Sequence, residues 1–373
     1  EGGEIINLWG DAGCNDLFGG FRGGTLKEAQ AAICREEVRQ LYYDAEVLLE
    51  TAECLPPESP RRARIIQALY EASLILTDMT DARVAQARRI LGDQLAMRGG
   101  DPVLTVSAIG HAHIDLAWLW PIRETIRKGA RTFATALRMM EQYPDYVFGM
   151  SQPQLYEWIK RYYPKLFEQV KERVREGRWE LQGAMWVEPD TNVPGGESLV
   201  RQILYGKRFY REEFGQDVRT LWLPDVFGYT ASLPQILKKS GVHYMMTQKL
   251  SWNEYNRLPH HTFWWEGIDG SKVLTHMPPE DTYNSPAAPR SIAKIEREYL
   301  DKNISEHCLM LFGIGDGGGG PGEEDLERLS REKNLLGLAP VVHEPSWKFF
   351  EKLAEGAARY PSWSGELYLE KHQ

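Results

Sequence analysis

The chain has 373 residues, of which 42% are hydrophobic and 26% charged, and this balance is ordinary for a globular protein. That length suffices for two or three domains, or for one large α/β domain with an extension. The net charge of −9 argues against nucleic acid and anionic membranes as partners, because their phosphate groups repel an acidic surface.

The first hundred residues have a helical pattern without catalytic motifs. Residues 1–24 are Gly-rich and weakly patterned, and we interpret them as the tail of a preceding unit. Residues 25–100 form a helical segment in which apolar residues recur at helical spacing. Three helices are predicted there, one ending near residue 55 and two more over 59–77 and 81–98.

From residue 102 the pattern changes to short apolar strands that alternate with longer amphipathic helices. Strands are predicted over 103–109, 146–150, 179–183, 220–223, 244–247, 262–266, 272–276 and 308–314. Helices are predicted over 122–142, 153–175, 197–214 and 231–240. This alternation indicates the α/β class with a parallel sheet, either a barrel or a doubly wound sheet. In both architectures the active site lies at the carboxyl ends of the strands.

The spacing of the cysteines and the lack of a signal-peptide pattern bear on the cellular compartment of the protein. The four cysteines have no CxxC spacing, which favours free thiols over a disulfide frame or a zinc knuckle. No apolar run approaches the ~18 residues of a membrane span, and no signal-peptide pattern opens the chain. We therefore predict a cytoplasmic location. The 12 Trp and 17 Tyr residues suit either a sugar-binding cleft or the filling of a large core.

The strongest chemical signal directly follows the strand predicted at 103–109. Alternate side chains of an extended backbone share one face, so His111, His113 and Asp115 could point together at the end of this strand. Imidazole nitrogen and carboxylate oxygen together suit Zn²⁺. The competing interpretation is that these histidines only satisfy backbone hydrogen bonds.

Two more carboxylates follow strand ends. Asp225 comes after the strand at 220–223 and behind the rigid Pro224, which favours catalysis over helix capping because the next helix begins several residues later. Asp316 follows a later strand and precedes the glycines at 317–320. That run lacks the Lys and Ser/Thr of a phosphate-binding loop, so we expect the backbone to approach a ligand closely there. A plain flexible turn is the alternative.

The remaining candidates are less specific. The loop after the strand at 179–183 offers Trp186, Glu188 and Asp190, which could bind sugar hydroxyls or be ordinary loop residues. Near the end of the chain, Glu370 belongs to an alternating segment, where a solvated strand face is slightly favoured over catalysis.

Four blocks of this sequence resemble, in the same order, the motifs of family 38 α-mannosidases, particularly their cytosolic and bacterial branch. The blocks are the zinc motif at His113–Trp118, the segment 192–202, the nucleophile motif at Trp222–Tyr229 and the segment 315–321. The resemblance covers residues 103–373. It implies an α/β fold with a (β/α)7-type barrel as the catalytic domain over 101–373, truncated at its C-terminal end and preceded by the all-helical segment.

The same resemblance implies a retaining exo-α-mannosidase that removes terminal α-linked mannose from oligosaccharides. One Zn²⁺, or another divalent ion such as Co²⁺, would be held by His113, Asp115 and Asp225. Asp225 would also be the nucleophile that forms a covalent glycosyl-enzyme, and Trp118 would stack beneath the sugar.

Retention requires a second carboxyl group that acts first as acid and then as base. Asp316 is the first candidate because of its loop position, and Glu370 and Glu366 are its rivals. Trp186 and Asp190 are the further candidates for substrate binding.

The sequence departs from the family at one ligand. The family supplies a fourth zinc ligand from a downstream His-His-Asp type motif, and this chain has no such motif after Asp225. The chain also starts at Glu1 rather than Met and ends at Gln373 without a helix cap. We therefore expect a piece of a longer protein that binds metal weakly on its own.

Two other classes stay open at this point. His111-Ala112-His113 also resembles the HxH motif of metal-dependent amidohydrolases, which would need later histidines at strand ends, and His276 is the one candidate. A non-catalytic carbohydrate-binding module would use the aromatic residues without needing Asp225. Linkage preference, the native metal and the oligomeric state, a homo-oligomer included, cannot be read from the residues.

Overall fold

The computed structural model describes residues 32–100, 102–315 and 317–370. Three helices come first, close to the predicted positions: α1 (Glu36–Cys54), α2 (Pro60–Ile75) and α3 (Asp81–Leu95). The predicted helical residues 25–31 lie outside the described residues. None of the helices in the described ranges combines the length and apolarity that a bilayer crossing requires.

The three helices pack on one another through apolar faces. Ser59 caps α2 by accepting a hydrogen bond from the Arg62 amide, and Pro60 occupies the first helical position, where its missing N–H costs nothing. The core between the helices consists of side chains with little or no exposure, among them Leu48, Ile65, Val84 and Leu91. This core is separate from the cores around the strands.

The rest of the described chain alternates strands and helices. The strands are β1 (Thr105–Ala112), β2 (Phe148–Met150), β3 (Trp179–Leu181), β4 (Thr220–Leu223), β5 (Tyr244–Thr247), β6 (Thr262–Glu266), β7 (Lys272–His276), β8 (His307–Phe312), β9 (Val341–His343) and β10 (Ser362–Ser364). The helices are α4 (Ile122–Gln142), α5 (Pro153–Tyr162), α6 (Pro164–Arg175), α7 (Gly196–Phe214), α8 (Leu233–Lys239), α9 (Pro289–Glu298), α10 (Glu323–Glu332) and α11 (Ser346–Glu355). Short 3-10 helices cover Lys249–Trp252 and Ala357–Arg359.

The strands form two sheets. The first has the order β3-β2-β1-β8 with β9 also paired to β1, and the second has the order β10-β6-β7-β5-β4. All pairs are parallel except β6 with β7. The α/β class with parallel pairing is therefore confirmed. The closed barrel is not, because no ladder in the described part of the chain pairs a strand of one sheet with a strand of the other.

Among the described residues, the strands of the two sheets meet through side chains, and only isolated backbone bridges of the following loops, such as Ser285 with Phe312, cross between them. Ile109 and Leu311 of the first sheet share a buried core with Trp222 and Leu274 of the second. The facing strands β3 and β4 are only three and four residues long, so each offers few backbone groups for a ladder. The two sheets thus enclose a common apolar interior without closing into a ring.

Helix α1 docks on this α/β body through charged residues. Asp44 accepts from Arg331 of α10 at 2.7 Å and from Arg88 of α3 at 2.9 Å, and its side chain is almost fully buried. Glu46 pairs with Arg328 of α10 at 3.0 Å. The helical segment is therefore fixed against the face of the body that α10 covers.

Candidate active site

Three potential ligands converge where the two sheets face each other. His113 and Asp115 follow β1 of the first sheet, and Asp225 follows β4 of the second. Nε2 of His113 lies 3.1 Å from Oδ1 of Asp115 and 3.6 Å from Oδ2 of Asp225. One ligand atom from each residue lies within 4.8 Å of the others, which is close enough to hold one metal ion.

The charges around His113 suit a bound cation. Burial lowers the pKa of His113, but the carboxylates of Glu188 and Asp115 outweigh this effect and hold the pKa well above its ordinary value. Three carboxylates surround one buried imidazole, because Asp225 lies beside it as well. One imidazole nitrogen and two carboxylate oxygens form a donor set that fits a divalent ion such as Zn²⁺.

Lys249 is a site residue that the sequence reasoning missed. Its Nζ lies 2.5 Å from Oδ1 of Asp225, and only 2% of its side chain is exposed. The same Nζ lies 3.2 Å from the ring centroid of Trp252 and 4.3 Å from that of Phe227. Lys249 comes two residues after the end of β5, so the rule that function lies at the carboxyl ends of strands could have found it.

His111 takes no part in the metal group despite its position two residues before His113. It is fully buried, and its Nε2 donates to the Tyr283 carbonyl at 2.7 Å. Burial lowers the pKa of His111 to about 4, so the ring is neutral at physiological pH. The alternation of side chains along β1 predicted that His111 would join His113 and Asp115. In the structure His111 instead bonds to the Tyr283 carbonyl.

Glu188, for which the sequence left open either binding of sugar hydroxyls or an ordinary place in a loop, lies beside His113. Its Oε2 is 2.7 Å from Nδ1 of His113, and both side chains are 4% exposed. The carboxylate therefore faces the edge of the imidazole opposite to Asp115 and Asp225.

The Gly-rich loop is bonded directly to the backbone of His113. The amide of His113 donates to the Gly315 carbonyl at 3.2 Å, and the amide of Gly318 donates to the His113 carbonyl at 3.0 Å. Gly318 has φ +81°, and a Cβ there would lie 2.8 Å from side-chain atoms of Ile114 and Thr132. The backbone of this loop therefore packs closely against the residues that follow β1. Asp316 itself lies outside the described residues.

Glu370 has contacts that fix a loop. Its Oε2 accepts from the amides of Glu254 and Tyr255 at 2.7 and 3.0 Å, and its Oε1 accepts from the Asn256 amide at 2.8 Å. These backbone hydrogen bonds, led by that of Tyr255, lower the pKa of Glu370. A general acid needs the opposite shift, so the environment of Glu370 favours a structural role.

The predicted aromatic and polar contact residues lie in different surroundings. Trp118, in the loop after β1, is 43% exposed and meets Trp120 edge-on at 5.2 Å between centroids. Trp186 donates from Nε1 to Gln154 at 3.1 Å and lines a surface cavity that contains none of the three metal-binding candidates. Asp190 is exposed, and its carboxylate accepts from the Asn192 amide at 2.8 Å.

Comparison with known proteins identifies the family. Residues 103–366 match the family described as "Glycosyl hydrolases family 38 N-terminal domain". The chain is 40% identical to human "Alpha-mannosidase 2C1", in an alignment that covers 98% of this chain and 36% of that protein. It is 38% identical to "Alpha-mannosidase G" of Dictyostelium discoideum, covering 100% of this chain and 35% of that protein. The chain thus spans about a third of the length of these curated relatives.

A solved structure shares the fold. The crystal structure of an alpha-mannosidase from Enterococcus faecalis aligns with a TM-score of 0.60 and 19% sequence identity, covering 71% of this chain and 31% of that one. The family match spans most of the chain and includes His113, Asp115 and Asp225. The chain belongs to glycosyl hydrolase family 38.

Proposed function

We propose that this chain carries the catalytic site of a retaining exo-α-mannosidase that hydrolyses terminal α-linked mannose from oligosaccharides. The observation that carries the proposal is the convergence of His113, Asp115 and Asp225 at the ends of β1 and β4 in a family 38 chain. Relatives with about 40% identity bear the name α-mannosidase. In this proposal residues 101–373 belong to the catalytic domain, 25–100 to a helical segment and 1–24 to a preceding unit.

Asp225 is the proposed nucleophile. Its carboxylate is held at the end of β4 by Lys249, which bonds Oδ1. An oxygen of Asp225 attacks the anomeric carbon, the bond to the leaving oxygen breaks, and a covalent glycosyl-enzyme forms. Water then attacks the same carbon, and the second displacement restores the α configuration. The ammonium group of Lys249 orients the carboxylate of Asp225 before the attack.

The acid/base is assigned to Asp316. The loop that carries it is bonded on both sides to the backbone of His113, which is the support for this choice. Asp316 would protonate the leaving oxygen in the first step and take a proton from water in the second. Glu370 stays the rival, although its three backbone donors argue for an ionised carboxylate at the start of the cycle.

His113, Asp115 and Asp225 would hold the divalent ion, with Zn²⁺ the first choice and Co²⁺ an alternative. When bound, the ion supplies Lewis-acid binding of neighbouring sugar hydroxyls and neutralises part of the carboxylate charge. The exposed ring of Trp118 is suited to cover the apolar face of the terminal mannose.

The amidohydrolase alternative finds no support in the contacts of its histidines. Nε2 of His111 is used by the Tyr283 carbonyl. His276 contacts the hydroxyl of Thr262 with Nδ1 and accepts from the Leu309 amide with Nε2, so both nitrogens are occupied inside the protein. The His276 ring cannot bind a metal without breaking these hydrogen bonds, and His111 belongs to no metal-binding group among the described residues.

The test is hydrolysis of an aryl α-mannoside by the parent protein, by chelator-treated and Zn²⁺-restored samples, and by Asp225→Asn. We expect metal-dependent release of mannose, loss of activity by ~10³-fold or more in Asp225→Asn, and α-mannose as the first anomer seen by NMR. Asp217→Asn, at the other end of β4, is the matched control and should retain activity. Metal-replete parent protein that cleaves no α-mannoside would refute the proposed function.

A further inference from the structure

Glu188 is buried against the edge of His113 that faces away from the other two metal-binding candidates. The distance from Oε2 to Nδ1 is 2.7 Å, and neither atom has another hydrogen-bond partner in the described residues. Only 4% of the Glu188 side chain is exposed, and the group that its Oε2 contacts is the imidazole of His113.

The position of Glu188 is fixed by the two residues that follow β2. The hydroxyl of Ser151 donates to Oε1 of Glu188 at 2.6 Å, which leaves Oε2 for His113. The amide of Glu188 donates to Oε1 of Gln152 at 3.1 Å, and Nε2 of Gln152 donates to the Ile114 carbonyl at 2.9 Å. Gln152 therefore ties the loop after β3 to the loop after β1, next to His113.

The backbone of Gln152 indicates that this bridge is a built feature. Gln152 has φ +68°, a left-handed conformation that side chains other than glycine rarely adopt. It is also 2% exposed, and both polar atoms of its amide are used in the bridge. The left-handed backbone of Gln152 places this amide between the loop that carries Glu188 and the loop that carries His113.

We propose that Glu188 is a positioning residue for the metal site, which holds hydrogen on Nδ1 of His113 so that the Nε2 lone pair is presented to the ion. Metal binding displaces one hydrogen from the imidazole, and only the nitrogen without hydrogen can bind the ion. Nε2 is the nitrogen that faces Asp115 and Asp225. A buried carboxylate at Nδ1 selects this tautomer, fixes the ring plane and makes Nε2 more basic. The inference rests on the proposed metal site and adds to it a residue outside the ligand set.

The experiment measures the affinity of the protein for Zn²⁺ by competition with a chromophoric chelator, together with the absorption spectrum of the Co²⁺ form. Glu188→Ala removes the acceptor and should weaken Zn²⁺ binding about 10- to 100-fold and change the Co²⁺ spectrum. Glu188→Gln keeps an uncharged acceptor of the same size and should recover part of the loss. Ser151→Ala should give a smaller loss, because it frees Oε1 while leaving the carboxylate in place.

Glu197→Gln, an exposed acid paired with Arg201 on α7, is the matched control and should bind Zn²⁺ like the parent. Circular dichroism of the metal-free variants verifies folding, and Glu188→Gln decides the question if Glu188→Ala does not fold. Folded Glu188 variants with the affinity and Co²⁺ spectrum of the parent would overturn this inference alone. A parent protein whose Zn²⁺ binding is absent or is insensitive to Asp115→Asn would overturn the metal part of the proposed function as well.

Discussion

Replacing Lys249 by Met removes the cation that faces Asp225 while keeping a side chain of similar length. At the observed separation of 2.5 Å, the Coulomb attraction is about 7 kcal/mol for an effective dielectric constant of about 20. Desolvation of the almost fully buried ammonium group offsets several kcal/mol of this, so the net coupling between the two residues should be about 2–3 kcal/mol.

A double-mutant cycle of Lys249→Met and Asp225→Asn measures this coupling. Unfolding in urea, with a chelator present so that metal binding does not contribute, gives the free energy of unfolding of the four proteins. Each single variant leaves one buried charge without its partner, whereas the double variant leaves none. The double variant should therefore lose about 2–3 kcal/mol less than the sum of the single variants.

The cycle of Lys249→Met with Asp217→Asn serves as the control, because Asp217 lies before β4 and Asp225 lies after it. These two changes should be additive within about 0.5 kcal/mol. Additive effects of Lys249→Met and Asp225→Asn would contradict the inference that Lys249 holds the nucleophile through charge.

Two further predictions concern the Gly-rich loop and the response to acid. Gly318→Ala should destabilise the protein by about 3 kcal/mol and weaken Zn²⁺ binding, because a Cβ would clash with Ile114 beside His113. Gly177 also has a positive φ, of +75°, but open space around it, so Gly177→Ala is the control and should cost only about 1 kcal/mol. Equal losses in urea unfolding would show that backbone strain alone acts. Burial lowers the pKa of His343 to about 4 in the folded protein. As the pH drops from 6.5 towards 4, the unfolded chain is protonated at this residue and the folded chain is not, so the free energy of unfolding falls. Between pH 7 and 5 the loss from this residue should be about 2 kcal/mol, and His343→Gln should show a pH dependence smaller by that amount.

The positions of the elements were largely predictable from apolar periodicity, and their pairing was not. Strands β4 to β7 have the predicted bounds, because short apolar runs between polar loops identify them directly. The helix predicted over 153–175 is two helices, since Pro164 lacks the amide hydrogen and starts α6 anew. The predicted closed barrel is not confirmed. Closure depends on hydrogen bonds between strands that are distant in sequence, and no local pattern encodes these bonds.

The same distinction between local patterns and long-range contacts applies to the residues of the candidate site. The metal-binding candidates His113 and Asp115 were visible because they are neighbours in sequence after one strand. Lys249 and the role of Glu188 depend on contacts across 24 and 75 positions of the chain, and a lone Lys or Glu in a loop gives no local signal. Such partners become evident only when the loops at the strand ends are brought together.

The location of the site at the facing ends of two sheets has a consequence for how the protein opens. In the described residues no ladder joins the strands of the two sheets, so separation of the two halves breaks only isolated backbone bridges such as that of Ser285 with Phe312. Hydrogen exchange along this boundary should therefore report a local event rather than global unfolding. A ligand that binds both His113 on one side and Asp225 on the other stabilises the association of the two halves. Ligand binding at the site and association of the two halves are then thermodynamically coupled. Loss of the ligand favours separation of the halves, and separation of the halves weakens ligand binding.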